Sequence, residues 1–187
     1  MRIILASASP RRRELLHELY PDFEIIVADI DESLPKGLSP KEGVRILAER
    51  KGRAVLTRVR DDSAVIISSD TLVELGGSPL GKPQDKGDAR RMLRALSGVE
   101  HFVRTGVAVH YGGRMASGTA STKVVFKSLT DRQIDAYVES GEPMDKAGSY
   151  GIQGAAGVFV ERTDGDTDTV IGLSLSLVKK LVDELLD

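Results

Sequence analysis

The alternation of short apolar runs with capped helical segments constrains this chain most. Ile3, Ile4 and Leu5 lie in an apolar segment, Arg2–Ala6, that reads as a buried strand. Ser9 then offers an N-cap, Pro10 suits the first helical position, and Leu15, Leu16 and Leu19 recur on one face. Phe23–Ala28 is strand-like, and the polar, proline-containing Asp29–Lys36 is a loop. Ser39-Pro40-Lys41-Glu42 is a capping box that opens a long helix to about Arg58. Ala64–Ser68 is a second buried strand, ending at Asp70, and Gly76–Pro83 is a turn-rich loop. Asp85 caps a helix through Leu96, stopped by Gly98. Phe102–Tyr111 and Arg114–Lys127 are two strands joined at Gly112-Gly113, a hairpin signal. Thr130-Asp131-Arg132-Gln133 is another capping box, with a helix to about Glu139. Val158–Arg162 is a strand followed by an acidic turn, and Leu173–Leu186 is a C-terminal helix. Helices between strands, plus a hairpin, predict an α/β fold with a mixed sheet.

Composition narrows the function classes. At 187 residues the chain makes one domain, or one domain with two lobes. With no cysteine, a disulfide scaffold, a thiol nucleophile and a cysteine zinc site are excluded. His17, His101 and His110 do not supply a histidine-rich metal site. The net charge is −2, which argues against a basic nucleic-acid footprint. Arg2, Arg11, Arg12 and Arg13 against Glu14 and Glu18 leave residues 1–20 at +2, while residues 161–187 carry −4. That pattern favours a small anion site over a duplex track, so stable nucleic-acid binding is not expected. No apolar run approaches the ~20 residues of a membrane span. The first residues place an apolar run before arginines, the reverse of a secretory signal. A soluble, cytoplasmic protein is the expectation.

Five segments carry candidate chemistry. In Ser7-Ala8-Ser9-Pro10-Arg11-Arg12-Arg13, three arginines stand at the positive end of a helix, the wrong charge for its dipole. A bound phosphate resolves the conflict; so does a solvated helix end with Ser9 as an ordinary cap. In Ser68-Ser69-Asp70-Thr71, a carboxylate at a strand's C-terminal end can hold Mg²⁺ or take a proton from water. A turn aspartate bonding its own backbone is the alternative. Gly76 to Lys82 matches G-x-x-x-x-G-K, but Pro83 stands where a P-loop needs Ser or Thr, and that reading is rejected. Lys82 stays as a cation on a tight loop. Asp31 and Glu32, with Lys51 on the following helix, are either a metal pair or solvated acids. Gly148, Gly151 and Gly154 recur every third residue around Gln153, an amide that can read a base edge; a glycine-rich connection with Tyr150 and Ile152 packed inward is the alternative. Together, carboxylates for a divalent ion, cations for phosphates and an amide for a base fit hydrolysis of a nucleoside triphosphate by a metal-activated water.

The motifs LASASPRR, Asp31-Glu32, Ala48 to Lys51, SSDT, GKP, LSG followed by His101, and DKAGSYGIQG stand in that order. By these the chain resembles, over nearly its whole length, the Maf family of nucleoside triphosphate pyrophosphatases, also described as septum-formation inhibitor proteins. The resemblance implies a single domain, 1–187, with two lobes and an active-site cleft between them. Its α/β fold would carry a long mixed β-sheet flanked by helices, similar to inosine triphosphate pyrophosphatases. It implies cleavage between the α- and β-phosphates with Mg²⁺ or Mn²⁺, releasing a monophosphate and pyrophosphate. Dimers are frequent among such folds, so a homodimer is among the expectations. Asp70 is then the proton acceptor or a metal ligand, with Glu32 helping to hold the metal. Ser9, Arg11, Arg12, Lys51 and Lys82 contact the triphosphate, and Arg12, Thr71 and Gln153 set substrate choice. The run Ser149 to Gly154 resembles the branch acting on dTTP and UTP. The same chemistry on a methylated or damaged nucleotide such as 7-methyl-GTP, and a non-catalytic nucleotide- or nucleic-acid-binding regulator of septum formation, are the alternatives. Ser174 stands where the family often has proline, and it can cap the last helix.

Overall fold

The structure is a computed structural model that describes residues 1–35 and 37–187. The last residue of the expected loop, Lys36, lies outside the described residues. The chain divides into two compact units. The first comprises Met1–Thr71, Thr105–Ala120 and Gly172–Asp187; the second comprises Leu72–Arg104 and Ser121–Ile171.

The first unit begins with β1 (Arg2–Leu5), which pairs in parallel with β2 (Glu24–Ile25) and with the start of β3 (Ala64–Leu75). Parallel strands are covered on both faces and read as continuous apolar runs. Accordingly Ile3, Ile4 and Leu5 lie beside Val65, Ile66 and Ile67, all buried. The loop from Leu5 leads to α1 (Pro10–His17), whose N-cap Ser9 accepts the Arg12 N–H. The capping box at Ser39 and Glu42 opens α2 (Pro40–Val59) as expected, with Pro40 in the first turn. This helix packs on the sheet through Val55, Leu56 and Val59 against Ile4, Ala64 and Ile66. It also comes close to β5 (Glu100–Tyr111). A Cβ on Gly52 would lie 2.6 Å from the His110 ring, and one on Gly106 would lie 2.3 Å from the Val44 carbonyl. Those two glycines set how near α2 can lie. The unit closes with the start of β6 (Arg114–Phe126) and with α6 (Leu175–Leu186), capped by Ser174.

In the second unit β3 continues into a hairpin with β4 (Ser78–Leu80). Gly76 and Gly77, at φ +57° and +82°, form the turn that suits a two-residue antiparallel connection. Two helices, α3 (Lys86–Leu96) and α4 (Asp131–Glu139), follow with the expected caps Asp85 and Thr130. Strand β7 (Val160–Asp164) pairs antiparallel with β6, and α5 is the short helix Thr167–Ile171. Short 3₁₀ turns occupy 142–145, 147–149 and 155–159. The core joins Leu93, Leu96, Val103, Phe126, Ile134 and Phe159. Within it His101 is buried, its Nε2 2.8 Å from the Tyr150 hydroxyl and its ring edge-on to Phe126.

Among the described residues, the sheet has seven strands in the order β2-β1-β3-β5-β6-β7, with β4 on β3, so its mixed character is as expected. No described helix is long and apolar enough to cross a membrane.

Several boundaries differ from the sequence reading. The strand beginning at Ala64 runs to Leu75 instead of ending at Asp70: Ala64–Ile67 pair in parallel with β1, and Val73–Leu75 pair antiparallel with β4, on either side of the polar middle. The expected loop 76–83 holds β4, where Pro79 is tolerated because β4 is an edge. Only Glu24 and Ile25 of 23–28 pair as a strand. The strand expected over 158–162 lies two residues further on, and the final helix begins at Leu175, not Leu173, because Ser174 is its cap. The acidic turn expected after that strand contains α5.

Candidate active site

Lys51 is the centre of one group in the first unit. Its Nζ lies 2.6 Å from Asp70 Oδ1 and 2.7 Å from Glu32 Oε1. Helix α2 supplies the lysine, the interior of β3 the aspartate, and the segment before α2 the glutamate. The Lys51 and Asp70 side chains are 14% and 15% exposed, whereas Glu32 is 60% exposed. A mostly buried ammonium persists because opposite charge compensates its lost hydration. Asp70 is therefore neither at a strand end nor in a turn. Its neighbour Ser68 is fully buried and donates to the Ala48 carbonyl at 2.7 Å, tying β3 to α2 one turn before Lys51.

Asp31 and Glu32 separate in role. Asp31 accepts from the Ser33 N–H at 2.8 Å and the Ser33 hydroxyl at 2.6 Å, which hold its carboxyl below the usual range. Glu32 instead reaches Lys51. Among the described residues no group of three or more histidine or carboxylate side chains gathers; the structure offers a pair of carboxylates converging on one cation.

Arg12 is the centre of the second group. Its Nε donates to the Gly172 carbonyl at 2.8 Å, its Nη1 to the Ser69 carbonyl at 2.8 Å, and its Nη2 to Thr71 Oγ1 at 3.2 Å. A longer contact, 3.5 Å, joins Nη1 to Ser7 Oγ. Burial lowers the Arg12 pKa from its ordinary value; Asp70 and Glu32 oppose this, and Arg11 adds to it. The charge conflict at the start of α1 is thus partly relieved within the protein: Arg12 turns onto backbone carbonyls, while Arg11 is half-buried and Arg13 exposed. Ser9 is half-buried and caps α1, as expected.

The expected site residues Ser9, Arg11, Arg12, Glu32, Lys51, Asp70 and Thr71 all belong to the first unit. Lys82 and Gln153 belong to the second, and both are exposed. Lys82 follows β4 and no helix starts at Pro83, so the rejection of a P-loop stands. Gln153 lies on the glycine-rich segment, where Gly148 has φ +67° and packs on Val73 and where Tyr150 is buried as the alternative reading had it. Ala155 N–H donates to Glu142, and Tyr137 O–H donates to the same carboxylate, which secures the segment's far end. Sequence reasoning missed Ser69, Thr105 and Gly172. Gly172 beside the helix cap was the available signal; Thr105, in mid-strand, had none.

Comparison with known proteins adds three findings. The family model described as "Maf-like protein" matches residues 2–185. A curated relative from Clostridium botulinum named "dTTP/UTP pyrophosphatase" is 48% identical, covering 98% of this chain and 96% of its own. Relatives of the same name from Thermococcus gammatolerans and Bdellovibrio bacteriovorus are 45% and 43% identical, each over 96% of this chain and over 94% and 96% of their own. Among solved structures, the Staphylococcus aureus Ham1 protein aligns with a TM-score of 0.52 at 14% identity, over 100% of this chain and 96% of that one, a likeness of fold.

Proposed function

The chain belongs to the Maf-like protein family, and on that premise we propose that it is a nucleoside triphosphate pyrophosphatase acting on dTTP and UTP. The observation in the site that carries this reading is the convergence of Asp70 and Glu32 on Lys51, beside the half-buried Arg12.

Mg²⁺ or Mn²⁺ suits this donor set. Two carboxylates that both reach one ammonium can serve one cation, and hard divalent ions take one or two carboxylates together with phosphate oxygens. When bound, the ion neutralises phosphate charge and acidifies water. Asp70 orients the attacking water and accepts its proton. The water oxygen bonds to the α-phosphorus, and the bond to the bridging oxygen breaks, its electron pair leaving with pyrophosphate. Lys51, Arg11 and Lys82 counter the charge that builds on that leaving group. Ser9, as acceptor to the Arg12 N–H, keeps its own hydrogen for a phosphate oxygen. Arg12 and Thr71 act in substrate choice, and Gln153 pairs with the pyrimidine edge. In this reading the chain is one Maf-like domain that works in the cytoplasm as a homodimer.

The test is pyrophosphate release from a panel of dTTP, UTP, CTP and 7-methyl-GTP with Mg²⁺. Rapid release from dTTP and UTP is expected. Orthophosphate in place of pyrophosphate, or turnover of 7-methyl-GTP alone, overturns the reading. No turnover of any triphosphate favours the non-catalytic regulator.

A further inference from the structure

Three donors converge on one backbone carbonyl, that of Gly172: Arg12 Nε at 2.8 Å, Ser69 Oγ at 2.9 Å and Thr71 Oγ1 at 3.3 Å. Gly172 has φ +134°, a backbone conformation open to glycine and not to side-chain-bearing residues. A Cβ there would lie 3.3 Å from Arg12 Nε. The segment before α6 is thereby shaped to bring a carbonyl up to α1 and β3.

The next bond in the network runs from Thr71 to Thr105. A threonine hydroxyl has one hydrogen to give and two lone pairs to receive. Thr71 Oγ1 has three partners in this network: Arg12 Nη2 at 3.2 Å, the Gly172 carbonyl, and Thr105 Oγ1 at 2.9 Å. Arg12 can only donate and the carbonyl can only accept. Thr71 Oγ1 thus accepts from Arg12, and its short 2.9 Å contact with Thr105 is a hydroxyl–hydroxyl bond that either oxygen can donate. Thr105 is fully buried on β5.

The same accounting applies to Arg12. Of its five N–H bonds, one goes to Gly172, two to Ser69 and Ser7, and one to Thr71. Among the described residues, one N–H on Nη2 is left. We propose that Thr105 is a positioning residue for substrate selection: its hydroxyl bond to Thr71 fixes the Thr71 oxygen beside Arg12 Nη2, and so holds Arg12 as a single directed donor toward the substrate. This rests on the reading that Arg12 meets the nucleotide. Thr71, engaged by Arg12 and Thr105, acts through Arg12.

Thr105→Val keeps the shape and removes the hydroxyl, and Thr105→Ser restores it. Steady-state kinetics with dTTP and Mg²⁺, and solvent exchange of the Arg12 Nε–H followed by ¹⁵N NMR, are measured for each. The valine variant should raise KM roughly three- to tenfold, the scale of one neutral hydrogen bond, with kcat within about twofold. Its Arg12 Nε–H should exchange faster, and serine should reverse both effects. A valine variant with wild-type KM and exchange, or with a lowered Tm alone, overturns the proposal. Arg12→Ala separates the levels. If it leaves dTTP kinetics unchanged, the underlying reading of Arg12 fails and the proposal with it. If it impairs them while Thr105→Val does not, the proposal alone fails. Should the valine variant not fold, Thr105→Ala removes the hydroxyl without added bulk and carries the same measurements.

Discussion

Lys51 stands between two carboxylates of different exposure, and that difference divides their roles. Asp70 is held in the strand and largely shielded, whereas Glu32 reaches in from a segment open to solvent. Asp70→Asn keeps the side chain's size and removes its charge and basicity. Turnover of dTTP should fall at least about 100-fold, the lower bound for a lost general base, while the thermal midpoint moves little. Steady-state kinetics and a melting curve check both halves. His101 gives a second test at this scale. Burial pushes its pKa down to about 4, partly offset by the nearby Val99 carbonyl. The unfolded chain therefore binds a proton between pH 6.5 and about 4 that the folded chain refuses. This part of the stability is complete above pH 6.5 and is lost as pH falls toward 4, by up to about 3 kcal/mol. Urea unfolding at pH 7 and pH 4.5 should show the loss, and His101→Gln should reduce it.

Local signals made the helical elements legible. Capping depends on residues three apart, so Ser39-Glu42 and Thr130-Gln133 announced α2 and α4 without knowledge of the fold. The Gly112-Gly113 hairpin was legible for the same reason. Gly76-Gly77 makes the same kind of turn, yet the sequence there reads as a loop, since the three-residue β4 that follows contains Pro79. The extent of β3 was not legible. Ser68-Ser69-Asp70-Thr71 looks like a strand ending, but these polar side chains are satisfied by partners remote in sequence: Ala48, Gly172, Lys51 and Arg12. Helix α2 carries Lys51, and its approach to β5 passes through Gly106. Gly106→Ala should cost roughly 1–3 kcal/mol in urea unfolding and reduce activity at the same time, because the helix must back away. Ser39→Ala should cost about 1 kcal/mol, lowering the thermal midpoint by roughly 2–4 °C with little change in kcat.

Over the whole molecule, substrate choice is proposed to involve the exposed Gln153, so it should be separable from stability. Gln153→Ala, at an exposed position, should leave the thermal midpoint near wild type and reduce the preference for dTTP and UTP over CTP at least tenfold, measured as ratios of kcat/KM. Residue types and their spacing determined the mixed α/β class, the helix starts, the absence of thiol chemistry and the family, because each depends on composition or on neighbours a few positions apart. Only the tertiary structure decided that Glu32 and not Asp31 meets Lys51, that Asp70 lies within a strand, and that the Gly172 carbonyl and Thr105 hydroxyl orient Arg12 and Thr71. These are pairings across 19 to 160 positions of sequence. Hydrogen-bond direction and charge compensation act through space, and spacing along a chain does not encode them.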